Sequence, residues 1–113
     1  MSKTLSNPNI GFPKRIQELE AHKCRFEAFK MVAEKDGCEI FFACYPAGTD
    51  IEPHRHDTEN WGIITKGEMI MTIEGKEHRF GPGDWYHIPA NAEHCARCDV
   101  DTEEIEFWFA PSA

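Results

Sequence analysis

The segment GTDIEPHRHDTENWGIITKG, residues 48–67, places two histidines one residue apart in a polar stretch. On an extended strand, His54 and His56 point to the same face. Two imidazoles on one face, beside a carboxylate or an amide, suit a divalent transition-metal ion. A solvated polar loop that happens to contain two histidines is the alternative. The surrounding sequence distinguishes between these two interpretations.

The flanking sequence consists of short strands separated by glycine and proline. Residues 24–33 and 38–45 read as strands joined through KDG, which predicts a tight hairpin. The second strand is apolar on both faces, which favours burial of both, inside a barrel or under a partner subunit. Further strands are predicted at residues 61–80, 85–88, 94–98 and 103–109. Many short strands at close spacing favour an all-β barrel or sandwich.

Two segments do not follow the strand pattern. YPAGTDIEP, residues 45–53, is predicted to be a loop. PKRIQELEAH, residues 13–22, predicts a short helix through the spacing of Ile16 and Leu19. The sequence contains no internal repeat and no low-complexity tract, so a single unit is expected.

A second segment, GDWYHIPANAEH at residues 83–94, ends in a further histidine, His94. Together the two segments resemble the two motifs of the cupin family, G-x5-H-x-H-x(3,4)-E-x6-G and G-x5-P-x-G-x2-H-x3-N. The matching residues are Gly48, His54, His56, Gly67, Gly83, Pro89 and His94. The joint match of two spaced motifs favours a metal site over a chance polar loop. The resemblance implies an all-β double-stranded β-helix, the cupin or jelly-roll barrel, over residues 23–113. A short, partly irregular N-terminal extension would occupy residues 1–22.

The chain departs from these motifs at three positions. Asn60 replaces the glutamate of the first motif, Asn91 replaces the glycine of the second, and Cys98 replaces its final asparagine. Asparagine can adopt a positive φ, so the turn at Asn91 is expected to survive.

The resemblance implies three histidine ligands, His54, His56 and His94, and a fourth ligand near the glutamate position. Side chains alternate along a strand. Asn60 lies an even number of residues after His54 and His56, so on a continuous strand it would share their face. Glu59 would fall on the opposite face, so Asn60 is the better candidate for the fourth ligand. A bulge between His56 and Asn60 would reverse this assignment.

The implied cofactor is a divalent ion, Fe, Zn, Ni, Cu or Mn, because imidazole ligands alone do not identify the metal. Three neutral imidazoles and a neutral amide leave the ion its full charge, which favours a hydroxide or an anionic substrate. The resemblance implies a small-molecule metalloenzyme, dioxygenase- or isomerase-like, with Tyr86, His87 and Glu59 as acid–base candidates. The alternatives are a non-catalytic module that binds a sugar or another metabolite, and a barrel whose site has decayed.

The composition limits the partners. The 113 residues correspond to one domain, and 41% of them are hydrophobic, enough for a modest core. A net charge of -8 argues against nucleic-acid binding. We expect no membrane association and a cytoplasmic location, because no apolar run is long enough for a membrane span or a secretory signal. The expected partners are a small-molecule ligand in the barrel mouth and, from the resemblance and the strand at residues 38–45, a second copy in a homodimer.

The five cysteines are an odd number in a chain without an export signal, which argues against a disulfide framework and for reduced thiols. Cys95 and Cys98 form a CxxC sequence, but a strand would point them in opposite directions, so their role stays open. Met69 and Met71 are interpreted as core residues. The numerous acidic residues are interpreted as a solvated face.

Overall fold

The chain folds as two antiparallel β-sheets in a computed structural model that describes residues 10–23, 27–33 and 37–111. These ranges contain ten strands and one helical turn. The elements are α1 (Lys14–Gln17), β1 (Glu20–Lys23), β2 (Glu27–Ala33), β3 (Cys38–Tyr45), β4 (Thr49–His54), β5 (Glu59–Lys66), β6 (Met69–Ile73), β7 (Lys76–Phe80), β8 (Trp85–Ile88), β9 (His94–Cys98) and β10 (Thr102–Phe109). Within the described ranges, no helix has the length and apolar character needed to cross a bilayer.

The strands form a six-stranded sheet and a four-stranded sheet. The order in the larger sheet is β1-β2-β3-β10-β5-β8, and the order in the smaller sheet is β4-β9-β6-β7. The predicted hairpin is confirmed, because β2 and β3 pair antiparallel with Phe29 opposite Phe42. The prediction of an all-β fold of many short strands is confirmed as well.

The two sheets enclose one core, to which alternate residues of each strand contribute. On β5, Asn60, Gly62 and Ile64 are buried, whereas Trp61 is exposed. Met69 and Met71 of β6 are buried in the same cluster, which confirms their interpretation as core residues. The large apolar members of this cluster include Ile64 and Ile88, which are 0% and 2% exposed.

Two predictions about local structure need correction. The loop predicted at residues 45–53 is wrong in its second half, where β4 pairs with β9. This strand lies at the edge of the smaller sheet, and an edge strand tolerates polar residues and Pro53 because its outer side needs no partner. The helix predicted at residues 13–22 is confirmed for one turn alone, and β1 takes up the end of that segment. A helix of four residues forms few hydrogen bonds, and these do not offset the free-energy cost of helix nucleation.

Residues 10–19 lie against the outer face of the larger sheet. The ring of Phe12 meets Phe42 edge to face, with centroids 5.6 Å apart. The backbone N–H of Gly11 donates to both carboxylate oxygens of Glu103, at 2.9 and 2.8 Å. Both faces of β3 are therefore covered, one by the core and the other in part by this segment. The remaining part of the extension, residues 1–9, lies outside the described residues.

Candidate metal centre

Two of the motif histidines lie at the ends of two paired strands, and His56 lies in the connection between β4 and β5. His54 ends β4 and lies opposite His94, the first residue of β9. Asn91 has a φ of 66°, as predicted for the glycine position of the second motif. Its backbone N–H donates to the carbonyl oxygen of His56 at 2.7 Å, which joins the two motif segments. The departure at Asn91 therefore leaves the turn intact.

The structure brings His54, His56 and His94 together. The ring centroids are 4.2 Å apart for His54 and His94, 4.8 Å for His56 and His94, and 5.5 Å for His54 and His56. Each residue offers one ligand atom, and these atoms lie within 4.8 Å of one another. Such convergence is not expected of a solvated loop, and it is the arrangement that a three-histidine metal site requires.

Backbone carbonyls fix the proton positions on all three rings. Nδ1 of His54 lies 2.8 Å from the carbonyl oxygen of Glu52, and Nδ1 of His94 lies 2.9 Å from that of Ala92. Nδ1 of His56 lies 3.2 Å from the carbonyl oxygen of Thr58. A carbonyl oxygen can only accept, so each Nδ1 carries the hydrogen and the lone pair is on Nε2. In His56 this lone pair has a long contact with the amide Nδ2 of Asn60, at 3.4 Å. A hydrogen bond from Nδ1 to a carbonyl oxygen is the second-sphere pattern of metal-binding histidines.

The protonation states also suit a metal ion. Burial is the main cause that lowers the pKa of His56 and of His94, and the neighbouring His54 lowers both pKa values further. These two imidazoles are therefore neutral near pH 7, as ligation requires. At a metal–nitrogen distance of about 2.1 Å, one ion can contact nitrogens up to about 4.2 Å apart. A small inward movement of the rings is enough for all three to reach it.

Asn60 and Glu59 lie on opposite faces of β5. Asn60 is 1% exposed, and its Nδ2 lies 3.4 Å from Nε2 of His56. The hydroxyl of Thr58 donates to Oδ1 of Asn60 at 3.1 Å, which directs the amide nitrogen towards the histidines. Glu59 lies outside the barrel, where its carboxylate accepts from Trp61 and contacts His87 at 2.6 Å. The two acid–base candidates Glu59 and His87 are thus remote from the histidine cluster.

A cavity of about 460 Å³ adjoins the histidines. His54 and His94 form part of its wall, and the apolar part includes Phe41, Met69, Met71 and Ile88. Trp108 also lines the cavity, and its ring stacks on His56 with centroids 5.0 Å apart. A small organic molecule fits a site of this volume and character.

Two further residues of the cavity wall, Glu104 and Glu106, were not predicted as site residues. The interpretation of the acidic residues as a solvated face is wrong for both, which are 0% and 9% exposed. Tyr45 and Tyr86 donate hydrogen bonds to Glu104, and both tyrosines are buried. The only feature of the sequence that points to their burial is Trp108. It lies an even number of residues from both glutamates on β10, so a large aromatic residue shares their face of the strand.

The CxxC sequence has no redox geometry. Cys95 and Cys98 are free thiols on opposite faces of β9, as the strand prediction requires. Burial raises the pKa of Cys98 to about 11, so its thiol stays protonated and unreactive. Cys24 lies outside the described residues.

Comparisons with known proteins agree with this geometry. The Cupin domain family model matches residues 41–109. Quercetin 2,3-dioxygenase from Bacillus subtilis (strain 168) is 39% identical over 56 residues, which make up 48% of this chain and 16% of that protein. H2HPP isomerase from Bacillus subtilis is 31% identical over 68 residues, 59% of this chain and 29% of that protein. The chain thus spans less than a third of the length of either relative.

Solved structures share the fold at low sequence identity. The structure of KdgF from Halomonas sp. superposes with a TM-score of 0.73 at 19% identity, covering 85% of this chain and 90% of that one. This likeness confirms the predicted double-stranded β-helix. Because the family match covers more than half of the sequence and includes all three histidines, the chain belongs to the cupin family.

Proposed function

We propose that this protein is a metal-dependent enzyme acting on a small molecule, with a divalent ion held by His54, His56 and His94. The observation that carries the proposal is the convergence of three histidine ligand atoms, two of them from residues that line a cavity, His54 and His94. Three protein ligands are typical of catalytic metal sites, because they leave positions for water and substrate. A bound divalent ion would supply Lewis-acid chemistry, polarising a carbonyl or carboxylate oxygen of the substrate.

Asn60 acts in this proposal as a hydrogen-bond donor rather than as an oxygen ligand. Thr58 holds Oδ1 of Asn60, so the amide Nδ2 faces Nε2 of His56 at 3.4 Å. An ion bound to that nitrogen would leave the N–H groups of Asn60 to donate to a substrate oxygen beside it. The neutral amide adds no negative charge to the three neutral imidazoles. The histidine cluster therefore favours an anionic group on the substrate.

The shape of the cavity limits the substrate class. Its apolar wall suits a hydrocarbon or aromatic portion, and the histidine side suits a carboxylate with a neighbouring carbonyl or hydroxyl oxygen. The two curated relatives are named as a dioxygenase and an isomerase. A small aromatic or aliphatic carbonyl acid meets these requirements.

Cobalt substitution tests whether the site is open to such a ligand. Protein loaded with Co²⁺ is titrated with pyruvate and phenylpyruvate while the visible absorption of the cobalt is recorded. We expect a cobalt spectrum in the wild type and in His78→Ala, which alters a histidine remote from the cluster, but not in the His54→Ala, His56→Ala double variant. We also expect the carboxylates to change the spectrum. A spectrum that no carboxylate alters would indicate a closed structural site and would refute the enzyme proposal.

We further propose that the outer face of the larger sheet is covered by a second copy of the chain. Trp61, Trp85 and Met31 are 39%, 54% and 41% exposed there. Trp85 stacks on Phe107, with centroids 6.1 Å apart, which makes the exposed apolar surface continuous across three strands. Apolar surface of this kind typically marks an interface between subunits.

Light scattering after size exclusion checks the assembly. We expect a dimer at micromolar concentration, a monomer for Trp61→Glu, Trp85→Glu, and a dimer for Val100→Glu, which alters an equally exposed apolar residue in a turn. A monomeric wild type would contradict this proposal.

A further inference from the structure

The interior of the barrel contains a cluster of two carboxyl and two phenol side chains beside the histidine site. Glu104 and Glu106, the carboxyl pair, line the same cavity as His54 and His94. Tyr86 lies between the two carboxyls. Its hydroxyl is 2.5 Å from Oε1 of Glu104 and 2.9 Å from Oε2 of Glu106.

Tyr45 completes the cluster. Its hydroxyl lies 2.5 Å from Oε2 of Glu104, so both oxygens of this carboxyl contact a tyrosine. No lysine or arginine lines the described part of the cavity wall to balance two negative charges. In the metal-free protein, ionising both carboxyls would therefore place like charges together in a buried site with no lysine or arginine beside them, which is unfavourable.

A count of hydrogens gives the protonation of the carboxyl pair. Tyr86 has one hydroxyl hydrogen but contacts two carboxyls, so one of the two contacts requires a hydrogen from a carboxyl group. One member of the pair is therefore protonated when both hydrogen bonds form. Burial and mutual repulsion also raise the pKa of Glu104, and burial raises the pKa of Glu106, in the same direction.

Two hydrogen arrangements are compatible with these contacts. In the first, Glu106 donates to Tyr86 and Tyr86 donates to an ionised Glu104. In the second, Glu104 donates to Tyr86 and Tyr86 donates to an ionised Glu106. Tyr45 donates to Glu104 in both. Moving two hydrogens along the chain Glu104–Tyr86–Glu106 converts one arrangement into the other.

A nearby donor supports charge on Glu106. The indole N–H of Trp108 is buried and makes no hydrogen bond of normal geometry, yet it lies close enough to Glu106 to lower the pKa of that carboxyl. Each arrangement of the relay is thus stabilised by its own donor, Tyr45 for charge on Glu104 and Trp108 for charge on Glu106.

We propose that Glu104 and Glu106, joined through Tyr86, are the acid and base of a proton-transfer reaction on a small carbonyl acid bound in the cavity. The inference rests on the proposed function for the place where the substrate binds. In an unsaturated carbonyl acid, the ionised carboxylate removes a proton from the carbon that lies between the carbonyl and the carbon–carbon double bond. That C–H electron pair forms a new carbon–carbon double bond, and the electron pair of the original double bond moves to its far carbon. The neutral carboxyl gives its proton to this far carbon of the substrate.

The relay then restores the starting state. The carboxyl that took the proton donates to Tyr86, and Tyr86 donates to the carboxyl that lost its proton. One proton is taken from the substrate and one is returned, so the substrate is isomerised and no oxidant is required.

An infrared measurement tests the protonation without any metal. The metal-free wild type at neutral pH should show the carbonyl stretch of a protonated carboxyl group that shifts in D₂O. The Glu104→Gln, Glu106→Gln double variant should lose this band, and Glu59→Gln, which alters an outer-face carboxylate, should retain it. A wild type without the band would overturn the proposal.

Hydrogen exchange of phenylpyruvate tests the chemistry. Metal-loaded protein in D₂O is incubated with phenylpyruvate, and loss of the proton signal at the carbon beside the carbonyl is followed by NMR. We expect the exchange rate to fall about 100-fold or more in the double glutamine variant. We expect a larger fall for Tyr86→Phe, which interrupts the relay, than for Tyr45→Phe, which removes one buried phenol hydroxyl outside it.

The outcomes separate this inference from the proposed function. Phenylpyruvate that alters the cobalt spectrum but exchanges equally fast with the wild type and the double glutamine variant would overturn the relay and leave the metal site standing. Loss of the cobalt spectrum itself would count against the metal site. Where neither pyruvate nor phenylpyruvate alters the cobalt spectrum, the enzyme proposal fails and the proton-transfer reaction fails with it, even if the infrared band is present.

Discussion

Gly62→Ala tests the packing behind the carboxyl pair. A Cβ at position 62 would lie 2.3 Å from Cζ of Tyr86 and 2.5 Å from both its Cε2 and its hydroxyl oxygen. Ordinary contacts of this kind are about 3.5–4.0 Å, so the ring must move by more than about 1 Å. Tyr86 is 3% exposed and is held by two carboxyls, so no free space accepts it.

The expected loss of stability follows from these contacts. Overpacking costs about 1–3 kcal/mol. Displacing the Tyr86 hydroxyl from a charged partner adds about 1.5–3 kcal/mol. We therefore expect the free energy of unfolding to fall by about 2.5–6 kcal/mol, which lowers Tm by about 10–24 °C for a domain of this size. Urea unfolding and a thermal melt measure the two quantities.

Two controls isolate the cause. Gly81→Ala adds the same methyl group where the nearest atom is Asp84 Oδ2 at 3.9 Å, and it should change the free energy of unfolding by less than about 1 kcal/mol. In a Tyr86→Leu background, which lacks the clashing atoms, Gly62→Ala should lose most of its cost. If Gly62→Ala destabilised the protein no more than Gly81→Ala, the packing argument would be refuted.

Two further predictions concern stability. Phe12→Ala removes the buried edge-to-face contact with Phe42 and should lower the free energy of unfolding in urea by about 2–4 kcal/mol. The control is Val100→Ala, which alters a half-exposed residue. An effect of Phe12→Ala as small as that of the control would contradict the packing of the N-terminal segment. The folded pKa values of Glu104 and Glu106 are raised above the unfolded value of about 4.3, so the folded state holds more protons in that window and stability falls as the pH rises through it. Glu106→Gln removes the repulsion within the pair. Between pH 5 and pH 9 this variant should therefore lose less free energy of unfolding than the wild type. An equal or greater loss would contradict the assignment of raised pKa values to these two carboxyls.

The sequence predicted the histidine site because its chemistry depends on local spacing. His54, His56 and His94 lie at fixed intervals from glycines and a proline, and those residues shape the turns that bring the imidazoles together. Asn60 faces the histidines as the parity argument predicted, but the premise of that argument does not hold, because residues 55–58 are not part of a strand. The direction of Asn60 is set by β5, which begins at Glu59.

The carboxyl pair could not be predicted in the same way. On β10 the more apolar residues, Ile105 and Phe107, face outward, whereas Glu104 and Glu106 face the core. Hydrophobic pattern alone would assign the opposite faces. The glutamates are tolerated inside because tyrosine hydroxyls from β3 and β8 reach them, and such partners, distant in sequence, become visible only in the folded chain.

Elemental analysis by mass spectrometry tests the central claim most directly. The wild type, the His54→Ala, His56→Ala double variant and His78→Ala are purified without added metal and without a histidine tag. A metal centre predicts about one equivalent of a divalent metal in the wild type and in His78→Ala, and none in the double variant. Equal metal content in the wild type and the double variant, or a wild type that neither contains nor takes up any divalent ion, would contradict the metal centre.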